Sequence, residues 1–243
     1  MQRRLRLSRI SLFAFALAIG VAAGPAHAGR PLATEDAGVA DPGECEIETW
    51  AARQPVRGAG RSDSYGIQPA CGLELPGLSL PSQFGVDLAR ERDPDGRQIA
   101  LGVSGKTALR ELSDDDWGLA LAWSYNRARP TGENWRSGEA SVLAVLSVPL
   151  TRDWLVHGNL GWVRDPMAER RDAAFWSAAI ERTGLAGFDL VGEVFGISGE
   201  SAWINAGLRY WVIRKHFSLN ASAGAKPAGG REALYTVGAK LEF

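Results

Sequence analysis

The last nine residues of the chain alternate between two kinds of side chain. One parity carries Tyr235, Val237, Ala239, Leu241 and Phe243, and the other carries Thr236, Gly238, Lys240 and Glu242. Successive side chains of a β-strand point to opposite faces, so this alternation predicts a strand with one apolar and one hydrophilic face. The strand runs to the terminal carboxylate, and its last side chain is aromatic. We therefore expect a sheet that separates two different environments.

Several other segments alternate in the same way, with large apolar residues on one parity and small or polar residues on the other. The clearest lie at 117–126, 154–162, 202–210 and 217–225. Weaker alternation predicts strands at 44–53, 65–75, 84–88, 99–103 and 142–148, and strands of ambiguous parity at 172–182 and 188–198. Pro69 has no N–H for a ladder, so it marks either a bulge or a later strand start. With the final segment, the count is about 12 strands.

The first 28 residues have the layout of an export signal. Four arginines precede an apolar stretch from Ile10 to Ala23, and Ala26-His27-Ala28 follows. That stretch is shorter than the ~20 apolar residues of a transmembrane helix. We therefore predict cleavage after Ala28 rather than an uncleaved anchor helix. Residues 1–28 are then the signal peptide, 29–43 a periplasmic leader and 44–243 the folded domain.

Charge and motif content exclude several classes of function. Removing the four signal arginines changes the formal net charge from −1 to −5, and no basic stripe remains to neutralise phosphates, so nucleic acid is not an expected partner. No phosphate loop, nucleotide fingerprint or zinc spacing occurs, and no cofactor is predicted. After the signal, the longest apolar stretch, 142–150, contains Ser147 and Pro149. A mature chain that crosses a membrane must therefore do so as a closed sheet, because lipid offers no partner for unpaired backbone groups.

The two cysteines, Cys45 and Cys71, lie on the apolar parities of the first two predicted strands. A hairpin of these strands would bring both side chains face to face, and an exported protein meets an oxidising compartment. We therefore predict a disulfide, with two free buried thiols as the alternative. No His or further Cys lies nearby, so the pair does not predict a metal site.

Aromatic residues recur at eight-residue separations on the apolar parity of three strands. The pairs are Trp117 with Tyr125, Trp154 with Trp162, and Tyr235 with Phe243. Eight residues rise ~26 Å along a strand. At a tilt of about 40° this projects to roughly 20 Å, close to the ~25 Å apolar band between two aromatic girdles of a membrane barrel. A soluble barrel or sandwich remains the alternative, because the same alternation also fits large side chains that point inward.

These patterns favour an all-β fold, namely a transmembrane antiparallel up-and-down β-barrel of about 12 strands that follows a cleaved signal peptide. Its apolar face has outer-membrane lipid as its partner, with the six aromatics at the membrane interfaces. Both ends of the barrel domain are expected on the periplasmic side. The turns predicted on that side lie at 149–153, 183–187 and 213–216, and those on the outer side at 93–96, 129–134, 165–171 and 226–232.

The C-terminal strand, with Phe243 last, resembles the closing strand of bacterial outer-membrane barrels. This resemblance implies that the barrel-assembly machinery recognises it. The leader reads RPLATEDAGV at 30–39 and PGECEIETW at 42–50, and Pro69-Ala70-Cys71, Lys106-Thr107 and Trp117-Gly118-Leu119 come later. Together these motifs resemble the meta-pathway phenol-degradation (MetA-type) outer-membrane proteins. That resemblance spans most of the mature chain and implies an envelope location and passage of small organic compounds, but it carries over no catalytic residue.

The hydrophilic parity carries polar and charged residues that a barrel would turn inward. The lumen-lining candidates are Glu46, Glu48, Glu74, Asp87, Lys106, His157, Asn159, Glu193, Asn205, Arg209 and Asn220. They suit either a polar channel that selects a solute or a lumen filled by paired side chains, because about 12 strands fall between filled small barrels and open wide ones. The leader either folds back to plug this lumen or forms a periplasmic tail.

Three functions follow from this architecture. The favoured one is passive or facilitated diffusion of small organic molecules, and the alternative is a closed structural or interaction barrel. The third is a lipid-modifying enzyme, since His157 and Asn159 follow a strand with Ser141 and Ser147 and supply the residue types of a Ser–His–Asn hydrolase. A His157 that faces the lumen points away from lipid, so no enzyme activity and no catalytic residue is predicted.

Overall fold

A computed structural model describes residues 32–56, 60–75, 77, 80–168, 170–227 and 232–243. The predicted signal peptide, its cleavage after Ala28 and the first residues of the leader lie outside the described residues. Within the described ranges, no helix has the length and apolar character needed to cross a membrane.

Alternating segments of the sequence form twelve strands in the described part of the chain. They are β1 (Cys45–Val56), β2 (Gly60–Glu74), β3 (Pro81–Asp93), β4 (Gly96–Arg110), β5 (Gly118–Pro130), β6 (Arg136–Thr151), β7 (Trp154–Arg164), β8 (Asp172–Leu185), β9 (Phe188–Ile197), β10 (Trp203–Ile213), β11 (Phe217–Ala225) and β12 (Ala233–Glu242).

The twelve strands close into an antiparallel up-and-down barrel, as the sequence predicts. Each strand pairs with its neighbours in the chain, and β1 pairs with β12 to close the sheet. Closure continues to the last residue, because the N–H of Cys45 donates to the carbonyl of Phe243 (2.8 Å) and the N–H of Phe243 donates to the carbonyl of Cys45 (2.9 Å). We call the end of the barrel with Cys45 and Phe243 the near end and the opposite end the far end.

The two faces of the sheet differ as the alternation predicts. Leu160 and Val237 are 65% and 57% exposed on the outside, whereas Ser147 and His157 are buried inside. The predicted interface aromatics also lie exposed on the outer surface, and they are Trp117, Tyr125, Trp154, Trp162, Tyr235 and Phe243. The arrangement is the inverse of a soluble globular domain, in which large apolar side chains pack in the interior.

The parity of β8 and β9, ambiguous in the sequence, is settled by the structure. Phe175 and Phe195 are buried inside the barrel, whereas Trp176 is exposed on the outside. Both parities of these strands carry large apolar side chains, so alternation could not assign their faces.

Pro69 neither shifts the register nor marks the start of β2, which begins at Gly60. Ile67 pairs with Leu88 and Ala70 pairs with Gly85 in one register, and the ladder to β3 is interrupted between them. Pro69 thus leaves a local gap in one ladder, because it has no N–H to donate.

Short turns join the strands at both ends. The two-residue turn Ala186-Gly187 has positive φ at both positions (54° and 89°), which matches the twist of a tight hairpin. The near-end connection at 111–117 is longer. Both ends of the barrel domain lie at the near end, so a chain that enters there completes six hairpins and returns.

A disulfide joins Cys45 and Cys71, as predicted, and the free-thiol alternative is wrong. The two residues are directly opposite each other in the β1–β2 ladder. The bond therefore connects the first two strands at the near end of the barrel.

Replacing both cysteines by serine (C45S/C71S) is expected to lower the free energy of unfolding by roughly 3 kcal/mol, because the cross-link restricts the unfolded chain. Urea titration in detergent micelles, followed by gel mobility with and without heating, measures this change. Reduced wild-type protein serves as the control and should match the double variant. An unchanged urea midpoint in both samples would contradict the prediction.

Candidate functional site

The polar residues predicted to line the lumen have three placements. Seven are buried side chains inside the barrel: Glu48, Asp87, His157, Asn159, Glu193, Asn205 and Asn220. Glu46, Lys106 and Arg209 share the inward parity and lie in ion pairs. Glu74 shares the inward parity of β2 but is exposed where the strand ends at the near end, and its assignment to the lumen stays a prediction. All except Glu74 therefore come together inside the barrel.

Residues 32–43, which we call the lumen segment, lie inside the barrel from Leu32 to Ala40 and are exposed from Asp41 to Gly43. Leu32 packs against Ala179 of β8 and Val191 of β9. The segment then crosses the lumen and leaves beside β2, where the N–H of Gly43 donates to the carbonyl of Gly72 (3.0 Å). Of the two alternatives for the leader, these residues adopt the one that folds back into the lumen. The reason is that side chains of the barrel interior form hydrogen bonds with the backbone N–H and carbonyl groups of the segment.

Glu193 of β9 holds the start of the lumen segment. Its carboxylate accepts the N–H of Ala33 (2.9 and 3.0 Å to the two oxygens), the N–H of Thr34 (2.8 Å) and the Thr34 hydroxyl (2.7 Å). Asn205 of β10 donates its Nδ2 to the same carboxylate at 2.7 Å. An ionised carboxylate makes stronger hydrogen bonds than a neutral acceptor, so Glu193 is the principal anchor of this part of the segment.

Asn159 of β7 binds the segment as a second strand would. Its Oδ1 accepts the N–H of Glu35 (2.6 Å), and its Nδ2 donates to the Glu35 carbonyl (2.9 Å). Ser177 of β8 donates its hydroxyl to Oδ1 of Asn159 (3.1 Å) and so orients the amide. Asn159 therefore satisfies both backbone groups of the buried Glu35. Without a hydrogen-bond partner, these buried groups would lower the stability of the docked segment.

Ser147, His157 and Glu181 form a chain of contacts beneath the segment. Ser147 Oγ lies 2.8 Å from Nδ1 of His157, and Nε2 of His157 lies 3.6 Å from Oε2 of Glu181. These are the residue types of a nucleophile, base and acid. Ser147, however, has no exposed surface, and its Oγ accepts the N–H of Ala37 at 2.8 Å. The hydroxyl is thus covered by the lumen segment, and the contacts dock that segment.

Apolar side chains cover the side of the lumen segment that faces β6, β8, β9 and β10. Ala37 belongs to a buried cluster with Leu143, Phe175, Phe195 and Trp203, and the rings of Phe195 and Trp203 stack at 6.3 Å. The Nζ of Lys226 lies 5.2 Å from the Trp203 ring. This part of the lumen, between β6 and β10, is filled as a small protein core is filled.

Lysines pair with the carboxylates on the other side of the segment. Lys106 Nζ lies 3.2 Å from Glu35 and 3.7 Å from Asp36, both in the lumen segment. Burial raises the pKa of the Glu35 carboxyl to about 7, although the nearby Lys106 ammonium opposes that rise, and the Asp36 and Glu48 carboxylates add to it. Lys240 of β12 pairs separately with Glu46 at 2.6 Å.

The lumen segment leaves the barrel through a close passage at β2. A Cβ at Gly72 would lie 2.2 Å from the carbonyl oxygen of Ala40 and 2.3 Å from that of Asp41, so glycine is required there. Gln83 of β3 accepts the N–H of Ala40 (3.1 Å) and donates to Glu46. The end of the segment is therefore fixed to the β1–β3 wall.

A cavity of about 590 Å³ remains beside the lumen segment along the β1–β6 wall. Its charged and polar lining includes Glu35, Asp36, Glu46, Glu48, Gln83, Lys106 and Lys240. Lys215, His216 and Phe243 also line it, which places its mouth at the near end. A smaller cavity of about 70 Å³ lies toward the far end, against Trp50, Asp87 and Asn126. Ser124 lines both cavities, so the two are neighbours.

Sequence reasoning missed several residues of this site. Glu181 and Asp189 point inward and pair with Arg209 (3.1 and 3.6 Å), but the ambiguous parity of β8 and β9 hid them. Gln83 carried no signal, because polar side chains on an inward face are common in any barrel, and Ser147 was noted only as the serine of a candidate hydrolase. Among the described residues, no group of three or more His, Cys, Asp or Glu side chains is arranged to hold a metal ion.

Comparisons with known proteins bear on the family and the fold. The model of a family described as Uncharacterised conserved protein UCP029691 matches residues 15–243. No curated protein matches the chain. The resemblance to the meta-pathway group is not confirmed by these matches and stays a prediction.

Three solved structures are similar to the barrel. The KdgM porin in complex with disordered oligogalacturonate is 14% identical, and the match covers 82% of this chain and 99% of that one with a TM-score of 0.55. The NanC porin is 8% identical over 80% and 98% of the two chains, also with a TM-score of 0.55. Outer membrane phospholipase A from Escherichia coli is 12% identical over 88% and 94%, with a TM-score of 0.49. The first two share the barrel fold with this chain.

Glu193→Gln is expected to loosen the lumen segment by about 2 kcal/mol, because hydrogen bonds to a charged acceptor are lost. Hydrogen–deuterium exchange at the amides of residues 33–37 should then be at least about tenfold faster. Glu74→Gln is the matched control, because Glu74 is exposed at the near end and does not touch the segment. Equal exchange in wild type and Glu193→Gln would contradict the role of Glu193.

Docking of the lumen segment is expected to weaken as pH rises. The pKa of Glu35 in the docked segment is about 7, above its ordinary value of 4.5, so the docked state holds the proton more tightly. Its stabilising contribution is complete below about pH 4.5 and is lost as pH rises through about 7. Exchange at amides 33–37, corrected for intrinsic rates, reports this change. Glu35→Gln should flatten the profile, and identical profiles for the two proteins would contradict the assignment.

Proposed function

The chain belongs to the conserved family whose model it matches, and we propose that this protein is an outer-membrane channel for passive diffusion of small organic solutes, closed in part by its own lumen segment. The observation that carries the proposal is a polar cavity of about 590 Å³ inside a barrel whose outer face is apolar. A purely structural barrel has no need of such a cavity.

The outer surface supports a membrane location. Exposed Leu, Val and Ile side chains form the middle of the wall, and the aromatic pairs lie toward its two ends. A charged side chain at mid-membrane would cost about 2–4 kcal/mol, and the charges of the outer face lie near the strand ends. Insertion from the periplasm through the C-terminal strand, after cleavage behind Ala28, belongs to the same proposal.

The cavity lining favours neutral or cationic solutes. The carboxyl groups of its lining outnumber the lysines by seven to three, and they are Glu35, Asp36, Asp41, Glu44, Glu46, Glu48 and Glu242 against Lys106, Lys215 and Lys240. A ring of one charge sign raises the local concentration of the opposite sign. A polyanion such as the oligogalacturonate in the KdgM complex would meet net repulsion here. Small uncharged organic compounds would pass without that penalty.

The lumen segment is the closing element of the proposed channel. Apart from its peptide link to β1, it is held by hydrogen bonds, ion pairs and the packing of Leu32 and Ala37, and it can be displaced without breaking a covalent bond. The occupied lumen also favours one competing function, a closed barrel with a structural or interaction role. Electrical recording separates the two.

Planar-bilayer recording of the mature protein and of a deletion of residues 32–43 tests the proposal. Wild type should show unitary conductance, and the deletion should raise it several-fold because the segment occupies the lumen. An Ala37→Cys/Ser147→Cys variant provides a reversible comparison, since the Ala37 N–H donates to Ser147 Oγ at 2.8 Å. Its oxidised form should conduct less than its reduced form.

Wild type with and without reductant controls for the native Cys45–Cys71 bond. Proper folding of each variant is checked by its heat-dependent gel mobility. If all of these folded proteins lack conductance, and liposomes that contain them show no solute flux, the channel proposal fails and the closed barrel replaces it.

A further inference from the structure

Arginines are concentrated on the outer surface of one half of the barrel at its far end. All are exposed, all lie near the far ends of β1–β7, and they are Arg53, Arg61, Arg90, Arg92, Arg97, Arg127, Arg129, Arg136 and Arg164. All except Arg136 lie on the outward parity of their strands, so their side chains leave the wall away from the lumen. Arg136 follows a register shift in β6 and pairs with the inward Ala128 of β5. The described far ends of β8–β12 carry no comparable series.

Some of these arginines have acidic partners, and others do not. Arg53 and Arg61 both bind Asp63 (2.7 and 2.8 Å), whereas Arg136 pairs with Glu133 and Arg164 with Asp172. The remaining five form what we call the arginine patch, which comprises Arg90, Arg92, Arg97, Arg127 and Arg129. No carboxylate of the described residues forms an ion pair with any member of the patch.

The sheet register brings the arginine patch together on three adjacent strands. Arg92 of β3 is directly opposite Arg97 of β4. Ile99 of β4 lies between Arg90 of β3 and Arg129 of β5 in the two ladders. Like charges directly opposite each other on one face destabilise a strand pair. An anion between the guanidinium groups of Arg92 and Arg97 would offset the repulsion between them.

On the outer face, Asp63 of β2 lies directly opposite Arg92 and is shared by Arg53 and Arg61. Asp93 accepts the N–H groups of Asp95 and Gly96 within its own turn (2.9 and 2.8 Å). Glu91 lies on the inward parity, where it accepts the side-chain amide of Gln98. The patch is nevertheless net positive, because its five guanidinium groups outnumber the carboxylates of Asp63, Asp93 and Asp95 beside them.

Apolar side chains lie directly below the patch on the same outer face. Leu88, Leu101, Val103 and Tyr125 are 40–49% exposed and lie nearer the middle of the wall along the same three strands. A ligand for this surface has an anionic head level with the arginines and apolar chains that run down the wall. Free phosphate and the carboxylates of an acidic protein each supply only the anionic group, without apolar chains that run down the wall.

We propose that the arginine patch binds the phosphate groups of a phosphorylated lipid in the outer leaflet, with the acyl chains of that lipid against the apolar strip below. Planar guanidinium groups bind phosphate through two parallel hydrogen bonds. The bound phosphate also relieves the repulsion between Arg92 and Arg97. This inference rests on the proposed membrane location but not on channel activity.

Binding of bisphosphorylated lipid A to the detergent-solubilised mature protein tests the inference. The variant is Arg92→Gln/Arg97→Gln, and the matched control is Arg152→Gln/Arg214→Gln, which removes two exposed arginines from the near end. We expect the patch variant to bind lipid A roughly tenfold more weakly and the control to bind like wild type. At one lipid A concentration, the unfolding temperature of wild type and of the control should rise more than that of the patch variant.

Two further ligands identify the source of the phosphate. Dephosphorylated lipid A should bind wild type as weakly as lipid A binds the patch variant, and inorganic pyrophosphate should bind more weakly than lipid A. Equal binding of the dephosphorylated lipid, equal binding of pyrophosphate, or an equal loss in the near-end control would each overturn the proposal. Bilayer conductance of the patch variant is unaffected in every case, so this test and that of the channel fail independently.

Discussion

Closure of the sheet between β1 and β12 is the constraint on which the rest of the structure depends. An open barrel would expose the backbone groups of two edge strands, and no lipid or apolar side chain can satisfy them. The bonds between Cys45 and Phe243 carry this pairing to the end of the chain, and the disulfide fastens β2 to β1 beside the seam. A closed wall then defines an interior, and only a closed wall allows an apolar outside and a polar inside.

A polar interior needs partners of its own, and the lumen segment provides them. Its backbone N–H groups meet Glu193, Asn159 and Ser147, which on a bare wall would face a water-filled lumen. The apolar cluster around Trp203 fills the opposite part of the lumen. Burial of carboxylates is tolerated because lysines and backbone donors surround them. The lumen is thus partly a packed core and partly an open cavity, and the boundary between the two runs along the segment.

Much of this architecture can be predicted from the sequence, and there are physical reasons why the remaining features cannot. Strict alternation is local, so the strand pattern, the outward aromatics and the Cys45–Cys71 pairing were predictable. The inward Phe175 and Phe195 were not, because they pack against Trp203 and the lumen segment rather than against lipid. The position of the segment depends on contacts more than a hundred residues apart, such as that of Glu35 with Asn159, which no local pattern records.

The attachment of the lumen segment to the barrel wall at Gly43 determines how far the segment can move after displacement. Twelve residues reach at most about 40 Å when fully extended, and their fixed end is at the near mouth of the barrel. A released segment therefore stays close to its vacated position, at an effective concentration on the order of millimolar. Any molecule that occupies the vacated position competes with an intramolecular ligand. The concentration of that molecule, and not the concentration of the protein, therefore decides how often the lumen is open.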